Sequence, residues 1–382
     1  MANVYDYLSW RGDLSFKQDN FNEVDGLILA KLAYIPYEYF PVSLENNSAQ
    51  IKDIAVEMLS NSHIVQDILW KDDVKMLEYL VDAERFRNLR ISNYKKLTDT
   101  ESQTQFSAIT IELDKDLFFI SYRGTDDTLV GWKEDLNMSF TCPVPGQELA
   151  RKYFEEISSL HKGKYILGGH SKGGNHAIYA SLFCPSELRK NIIQIFNFDG
   201  PGFYDKILQM PEYKEICDRI KTFVPQSSIV GMLLSHEEKY IIVHSTQRNG
   251  IMQHDMSTWE IQRTKFEYLE AVDNTSKFIN FTVKDWLTSM EPKQREIFVD
   301  TIYKILLETN AKTVTELNEN WLKTALIVLK SVKSLDEQTK KAVNSTLNSL
   351  KTSTKKWFIK YNSKNKLPNN LKEQNRNKFD KK

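Results

Sequence analysis

Cysteine is scarce in this chain. Cys142, Cys184 and Cys217 are the only three in 382 residues, an odd number at wide spacings that excludes a disulfide framework and a cysteine-built zinc site and leaves three core thiols. An excess of charge of one sign is also missing. The 51 Lys and Arg residues balance 51 Asp and Glu residues, so the surface as a whole is not built to hold nucleic acid, and no nucleic-acid partner is expected. Long hydrophobic runs are absent too: stretches such as Ile192 to Phe198 and Tyr240 to Val243 are far too short to cross a bilayer. Near the N-terminus, Asp6, Arg11 and Asp13 leave no apolar core for a secretory signal, and the expected location is cytoplasmic.

What is present is enough apolar material, 41% of residues, for one large α/β domain with an appendage or for two domains. From Phe21 to Tyr34, Val24, Leu27, Ile28 and Leu32 recur at helical spacing, with Asn20 or Asn22 as a cap. The stretch from about Ile51 to Phe86 repeats that pattern. From Gln105 the period drops to two, and Phe106 to Tyr122 reads as a hairpin around Asp114-Lys115-Asp116. A helix through Ala150, Tyr153, Phe154, Ile157 and Leu160 then leads to a strand at Lys164, and further strands follow at Ile192 to Phe198, Ile220 to Val224 and Lys239 to His244. Strand, helix, strand alternation predicts an α/β fold with a mostly parallel sheet flanked by helices. Beyond Asn274 only helical stripes remain. The expected division is residues 1–273 as the α/β domain, 274–361 as a helical C-terminal appendage and 362–382 as a disordered basic tail.

Glycine, 14 residues in all, concentrates around one serine: Gly168-Gly169-His170-Ser171-Lys172-Gly173-Gly174. An apolar strand runs in and a small-residue helix runs out. Gly169, Ser171 and Gly173 satisfy the Gly-x-Ser-x-Gly nucleophile elbow, in which a sharp strand-to-helix turn leaves no room for flanking side chains. A serine hydroxyl needs a base within reach and a group to orient that base. Among seven histidines, His254 lies on the loop after the last good strand and is the chosen base; His244 reads as a strand side chain, and His236 precedes that strand. The acid is Asp199, which closes the strand after the elbow helix at the sheet edge where ligands gather, with Asp255 and Asp205 behind it. The simpler reading of Asp199 is a brace for Gly200-Pro201-Gly202. The more usual acid position follows the next strand, where Val224-Pro225-Gln226-Ser227-Ser228 holds no carboxylate. The oxyanion donors are the backbone N–H groups of Lys172 and Thr125, with Arg123 and Asp135 expected as a buried ion pair holding the Thr125 loop over a packed Trp132.

Tyr122-Arg123-Gly124-Thr125, Trp132, Asp135 and the Gly-His-Ser-Lys-Gly-Gly elbow resemble the class 3, fungal-type lipases among α/β-hydrolases. More narrowly, Tyr7-Leu8-Ser9-Trp10-Arg11-Gly12-Asp13, Arg123 to Asp127, Gly169 to Asn175 and Gln253-His254-Asp255 resemble an uncharacterised bacterial lipase-like family, over about residues 1 to 262. The resemblance implies a serine nucleophile at Ser171, a late histidine at His254 and an aspartate near Ser227 or Ser228, where this chain departs from the pattern. Lys172 is a second departure, since lipases carry an apolar residue there; it is expected to pair with a nearby carboxylate. The resulting expectation is a lipase or esterase acting on small-molecule or lipid esters, with no metal or organic cofactor. The alternatives are an idle hydrolase fold used for binding, and an acyltransferase or thioesterase. Weak peripheral membrane contact through the basic tail belongs to the same expectation.

Overall fold

The computed structural model of the chain describes residues 2–365, apart from 41–42, 69, 249, 314–315 and 318–320. Helices α1 (Val4–Arg11), α2 (Glu23–Leu32), α3 (Ile51–Ser60), α4 (Ser62–Asp67) and α5 (Lys71–Asp82) fill most of the first part of the chain. Asn22 caps α2, its side chain accepting from Val24 and Asp25 N–H while the Asp25 carboxylate returns to Asn22 N–H, so two orphan donors of the helix start are satisfied together.

Strands β1 (Ser48–Gln50), β2 (Arg90–Asp99), β3 (Thr104–Asp114), β4 (Leu117–Tyr122), β5 (Lys164–His170), β6 (Ile192–Phe198), β7 (Ile220–Pro225) and β8 (Ile241–Val243) lie in that order in one sheet, closed at its end by β11 (Tyr268–Leu269). The two-residue strands β9 (Ile261–Gln262) and β10 (Lys265–Phe266) form a separate hairpin. The sheet is mixed: β4 to β8 run parallel, and antiparallel pairs flank them on both sides.

Side chains alternate across the central strands. Phe119, Ile166 and Phe196 face one layer, where Leu27, Ile28 and Val24 of α2 are fully buried against them. Ile120, Leu167 and Ile195 face the other, covered by α7 (Pro145–Leu160) and α8 (Lys172–Phe183) through Tyr153, Ile157, Ile178 and Leu182. Each such buried aliphatic contributes about 1.5–3 kcal/mol. Short helices α9 (Ser186–Arg189), α10 (Asp205–Leu208) and α11 (Pro211–Ile216) complete that side, while α6 (Leu129–Asn137) comes after β4.

The first helices are stitched to the end of the sheet-bearing part: Ile261 N–H donates to Ala2 O (2.8 Å), Tyr5 Oη donates to Ser257 Oγ (3.2 Å), and Phe266 N–H donates to Glu23 Oε1 (3.0 Å). From Asn274 the described chain is helical: α12 (Asn274–Thr288), α13 (Pro292–Leu307), α14 (Trp321–Ser334) and α15 (Glu337–Asn365). Residues 362–365 of the expected tail thus continue α15, and the remainder of that tail lies outside the described residues. Among the described residues no helix is long and apolar enough to cross a membrane.

Candidate active site

Three neighbouring parallel strands, β4, β5 and β6, end at one edge of the sheet, and the site is built from the residues just past their ends. Tyr122 of β4 is opposite Gly169 of β5, and His170 of β5 is opposite Phe198 of β6. Ser171 and Asp199 are therefore the first residues past a matched pair on adjacent strands, about 4.8 Å being the ordinary strand spacing. Both take left-handed backbone, φ 58° at Ser171 and 52° at Asp199, a conformation non-glycine residues adopt at a cost. The sharp turn at Ser171 needs its glycines: a Cβ on Gly173 would stand 2.1 Å from Tyr122 O, and one on Gly169 2.4 Å from Gly173 C.

Asp199 is fully buried and accepts three donors. His254 Nδ1–H reaches Oδ2 at 2.7 Å; Ser228 Oγ–H and Gly231 N–H reach Oδ1 at 2.5 and 3.1 Å. With Nδ1 protonated, His254 Nε2 carries the lone pair that a base requires. The His254 ring is fixed from a second side: its centroid lies 4.3 Å from that of His170, the residue before Ser171, and the His254 carbonyl accepts from His170 Nε2 at 2.8 Å. His170 Nδ1 in turn accepts from Tyr34 Oη at 2.9 Å. Burial, with the nearby His254, drives the His170 pKa well below the usual histidine range, so it stays a neutral spacer. Among the described residues the hydrogen bonds of His254 run to Asp199 and from His170, and none joins it to Ser171.

The other carboxylate candidates do other work. Asp255 caps Ser257 N–H at 2.9 Å, and Asp205 opens α10. His236 is held by Glu238 and Gly231 O, and His244 by Glu260. At the sequence position without a carboxylate, Ser228, just past the end of β7, donates its hydroxyl to Asp199 at the end of β6. Sequence reasoning missed Ser228 and Gly231 as partners of Asp199 and Tyr34 as the partner of His170. Only Ser228 carried a signal, since it stands where the lipase aspartate was expected.

On the other flank, Gly124 runs against Ser171, where an added Cβ would be 2.9 Å from Ser171 Cβ. This brings Thr125 to the elbow. Its hydroxyl donates to Asp135 Oδ2 at 2.5 Å. The expected Arg123–Asp135 ion pair does not form: Arg123 Nη2 pairs with Asp126 at 3.0 Å, three residues along the same loop, and Asp135 faces Thr125 and Lys172. Trp132 is half exposed instead of packed beneath the loop. Burial pushes the Asp135 pKa up to about 6 against the opposing pull of Lys172.

Lys172 contributes a backbone N–H at the first position of α8, beside Ser171, and buries its ammonium. Its Nζ donates to Glu134 Oε2 at 2.8 Å and to Gln105 O and Oε1 at 3.0 and 2.9 Å, and lies 3.8 Å from Asp135 Oδ1. A polar cleft of about 360 Å³ bordered by Gln226, His244, Arg248 and Glu260 lies beyond the histidine loop, and neither Ser171 nor His254 lines it.

A model of the Mbeg1-like family matches residues 80–304, more than half of the chain. No curated protein matches it. Among solved structures the chain is similar to a fungal lipase (13% identity, covering 66% of this chain and 87% of that one, TM-score 0.39). It is also similar to Rhizomucor miehei lipase in its propeptide complex (15%, 60% and 73%, 0.33) and to M37 lipase (14%, 69% and 93%, 0.34). These overlaps are too loose to bear on chemistry. Strand order and pairing describe an α/β fold with a mixed, largely parallel central sheet flanked by helices.

Proposed function

We propose that this chain, which belongs to the Mbeg1-like family, is a serine hydrolase that cleaves carboxylic esters through an acyl-enzyme on Ser171. The observation that carries the reading is the 2.7 Å bond from His254 Nδ1 to a buried Asp199 on the strand beside the elbow. That bond fixes the tautomer whose Nε2 can take a proton.

His254 Nε2 removes the Ser171 hydroxyl proton as Oγ attacks the ester carbonyl carbon. The N–H groups of Lys172 and Thr125 receive the oxyanion, an interaction worth about 3–4 kcal/mol per donor in such sites. The imidazolium then returns its proton to the leaving alcohol, and water releases the acid by the same route in reverse. Support for an apolar acyl group comes from exposed Trp132 and Leu136 on α6 and exposed Ile251 and Met252 on the turn that carries His254. The rival reading, an idle fold kept for binding, drew on the acid position without a carboxylate; the Ser228–Asp199 bond accounts for that position by another route.

A fluorophosphonate probe tests the reading. Wild-type protein is expected to label, Ser171→Ala not at all, and His254→Ala far more slowly. Labelling that survives in Ser171→Ala ends the proposal. Nitrophenyl esters of increasing acyl length then measure the size of the acyl site.

A further inference from the structure

The helices after Asn274 meet the α/β part at the two segments that hold the site, and the contacts are polar. On the acid side, Asp273 caps α12: Oδ1 accepts from Ser276 N–H at 2.8 Å, Oδ2 accepts from Ser227 Oγ, and Asp273 N–H donates to Gln226 O at 2.8 Å. Ser276, with no exposed surface, donates its hydroxyl to Ser228 O at 2.8 Å. Ser228 is the residue whose own hydroxyl holds Asp199. On the oxyanion side, Asp300 of α13 accepts from Lys133 Nζ at 2.6 Å, Lys133 being buried on α6. Arg295 Nη1 donates to Ser139 O at 2.6 Å. Leu129 N–H donates to Lys312 O at 2.9 Å, and Thr128 pairs with Thr313 across an isolated bridge. Helix α6 carries Asp135, the partner of Thr125.

A helical appendage that merely covered apolar surface would meet the domain through side chains remote from the chemistry. Here Ser276 bonds directly to Ser228, which holds Asp199, and Asp300 bonds to Lys133, two residues before Asp135 on the helix that carries the partner of Thr125. We propose that Ser276 is a positioning residue for Asp199, acting through Ser228, and that Asp300 is its counterpart for Thr125, acting through Lys133 and α6, so that the C-terminal helices are a working part of the active site. This rests on the hydrolase reading above. Positional errors well under an ångström are enough to slow such chemistry severalfold.

The test uses the full chain and two double-mutant cycles. Ser276→Ala is expected to lower kcat on a nitrophenyl ester by about three- to tenfold with KM within twofold, and by less than about twofold when Ser228 is already alanine. Asp300→Asn should behave likewise, losing its effect in a Thr125→Val background. A readout free of turnover accompanies them: the downfield proton resonance of the His254–Asp199 bond, assigned by its loss in Asp199→Asn, should exchange with solvent faster in Ser276→Ala. Unchanged kcat and unchanged proton exchange in Ser276→Ala overturn the proposal. An equal kcat loss with and without Ser228 does the same, since that marks general destabilisation. If wild-type protein fails to label with fluorophosphonate yet the proton still responds to Ser276→Ala, the hydrolase reading falls and the brace stands.

Discussion

Replacing Asp199 by asparagine is the sharpest perturbation of the site, because the outcome depends on which oxygen each donor uses. Oδ1 receives two donors, Ser228 Oγ–H and Gly231 N–H, while Oδ2 receives one, from His254. An amide supplies one acceptor atom. Setting its oxygen at the Oδ1 position keeps two bonds and costs one, so the NH2 group turns toward His254 Nδ1. That nitrogen must then accept, its proton moves to Nε2, and the base faces Ser171 with a hydrogen where a lone pair is required. The expected cost is on the order of 10⁴ in kcat, about 5 kcal/mol of transition-state stabilisation, the scale found when a triad acid is neutralised without disturbing geometry. KM should stay within a few-fold, and folding should remain cooperative, since the amide keeps the Oδ1 contacts. Steady-state hydrolysis of a short nitrophenyl ester, read beside Ser171→Ala as the floor, measures the effect. An Asp199→Asn rate within tenfold of wild type would refute the tautomer argument and remove Asp199 from the triad.

The remaining expectations concern the polar groups behind the elbow. Lys172→Met leaves the Glu134 carboxylate buried without its cation and should cost about 3–5 kcal/mol of stability in urea titration; adding Glu134→Gln should recover much of that loss, and an equal loss in the double variant would discount the pair. His176 is fully buried between the rings of Phe106 and Tyr122, and neither ring nitrogen has a hydrogen-bond partner. Burial holds its pKa well below the histidine range, so below about pH 6.5 the unfolded chain takes up a proton that the native state refuses, and stability falls with acidification. His176→Leu should lessen that fall by up to about 1.4 kcal/mol per pH unit below pH 6.5. Asp135, raised to about 6, acts with the opposite sign, but it is common to both proteins and cancels in the comparison. Identical pH slopes in the two proteins would contradict the buried neutral imidazole.

Much of this architecture was legible in the chain because the central strands and their helices keep to period 2 and period 3.6 closely, and the elbow is spelled by its glycines. β2 was not legible. Its residues Arg90 to Asp99 are mostly exposed and polar, and a bulge between Ser92 and Lys95 breaks the alternation, as suits a strand near the sheet edge. β1, three residues long, has no pattern to read. In the site, Ser171, His254 and Asp199 could be nominated by chain order and by Asp199 closing the strand after the elbow helix, but the donors Ser228 and Gly231 that hold Asp199 depend on how the loops fold back, which composition does not encode. The Arg123–Asp135 pairing failed for a plain reason: Asp126, three residues from Arg123, captures the guanidinium first, while Asp135 stays with Thr125 and faces Lys172 from across the sheet edge.

The stitching of the first helices to the last short strands has a consequence for how the molecule is made. Tyr5 and Ser257 are 252 residues apart, and the turn bearing His254 lies just before the later of the two. Contacts this distant form only after most of the chain has left the ribosome, and loops of that length close slowly. The glycine-framed turn at Ser171, assembled from neighbouring strands, can be in place while the nascent chain still lacks His254, so the newborn protein passes through a stage in which the proposed nucleophile is positioned and the proposed base is not.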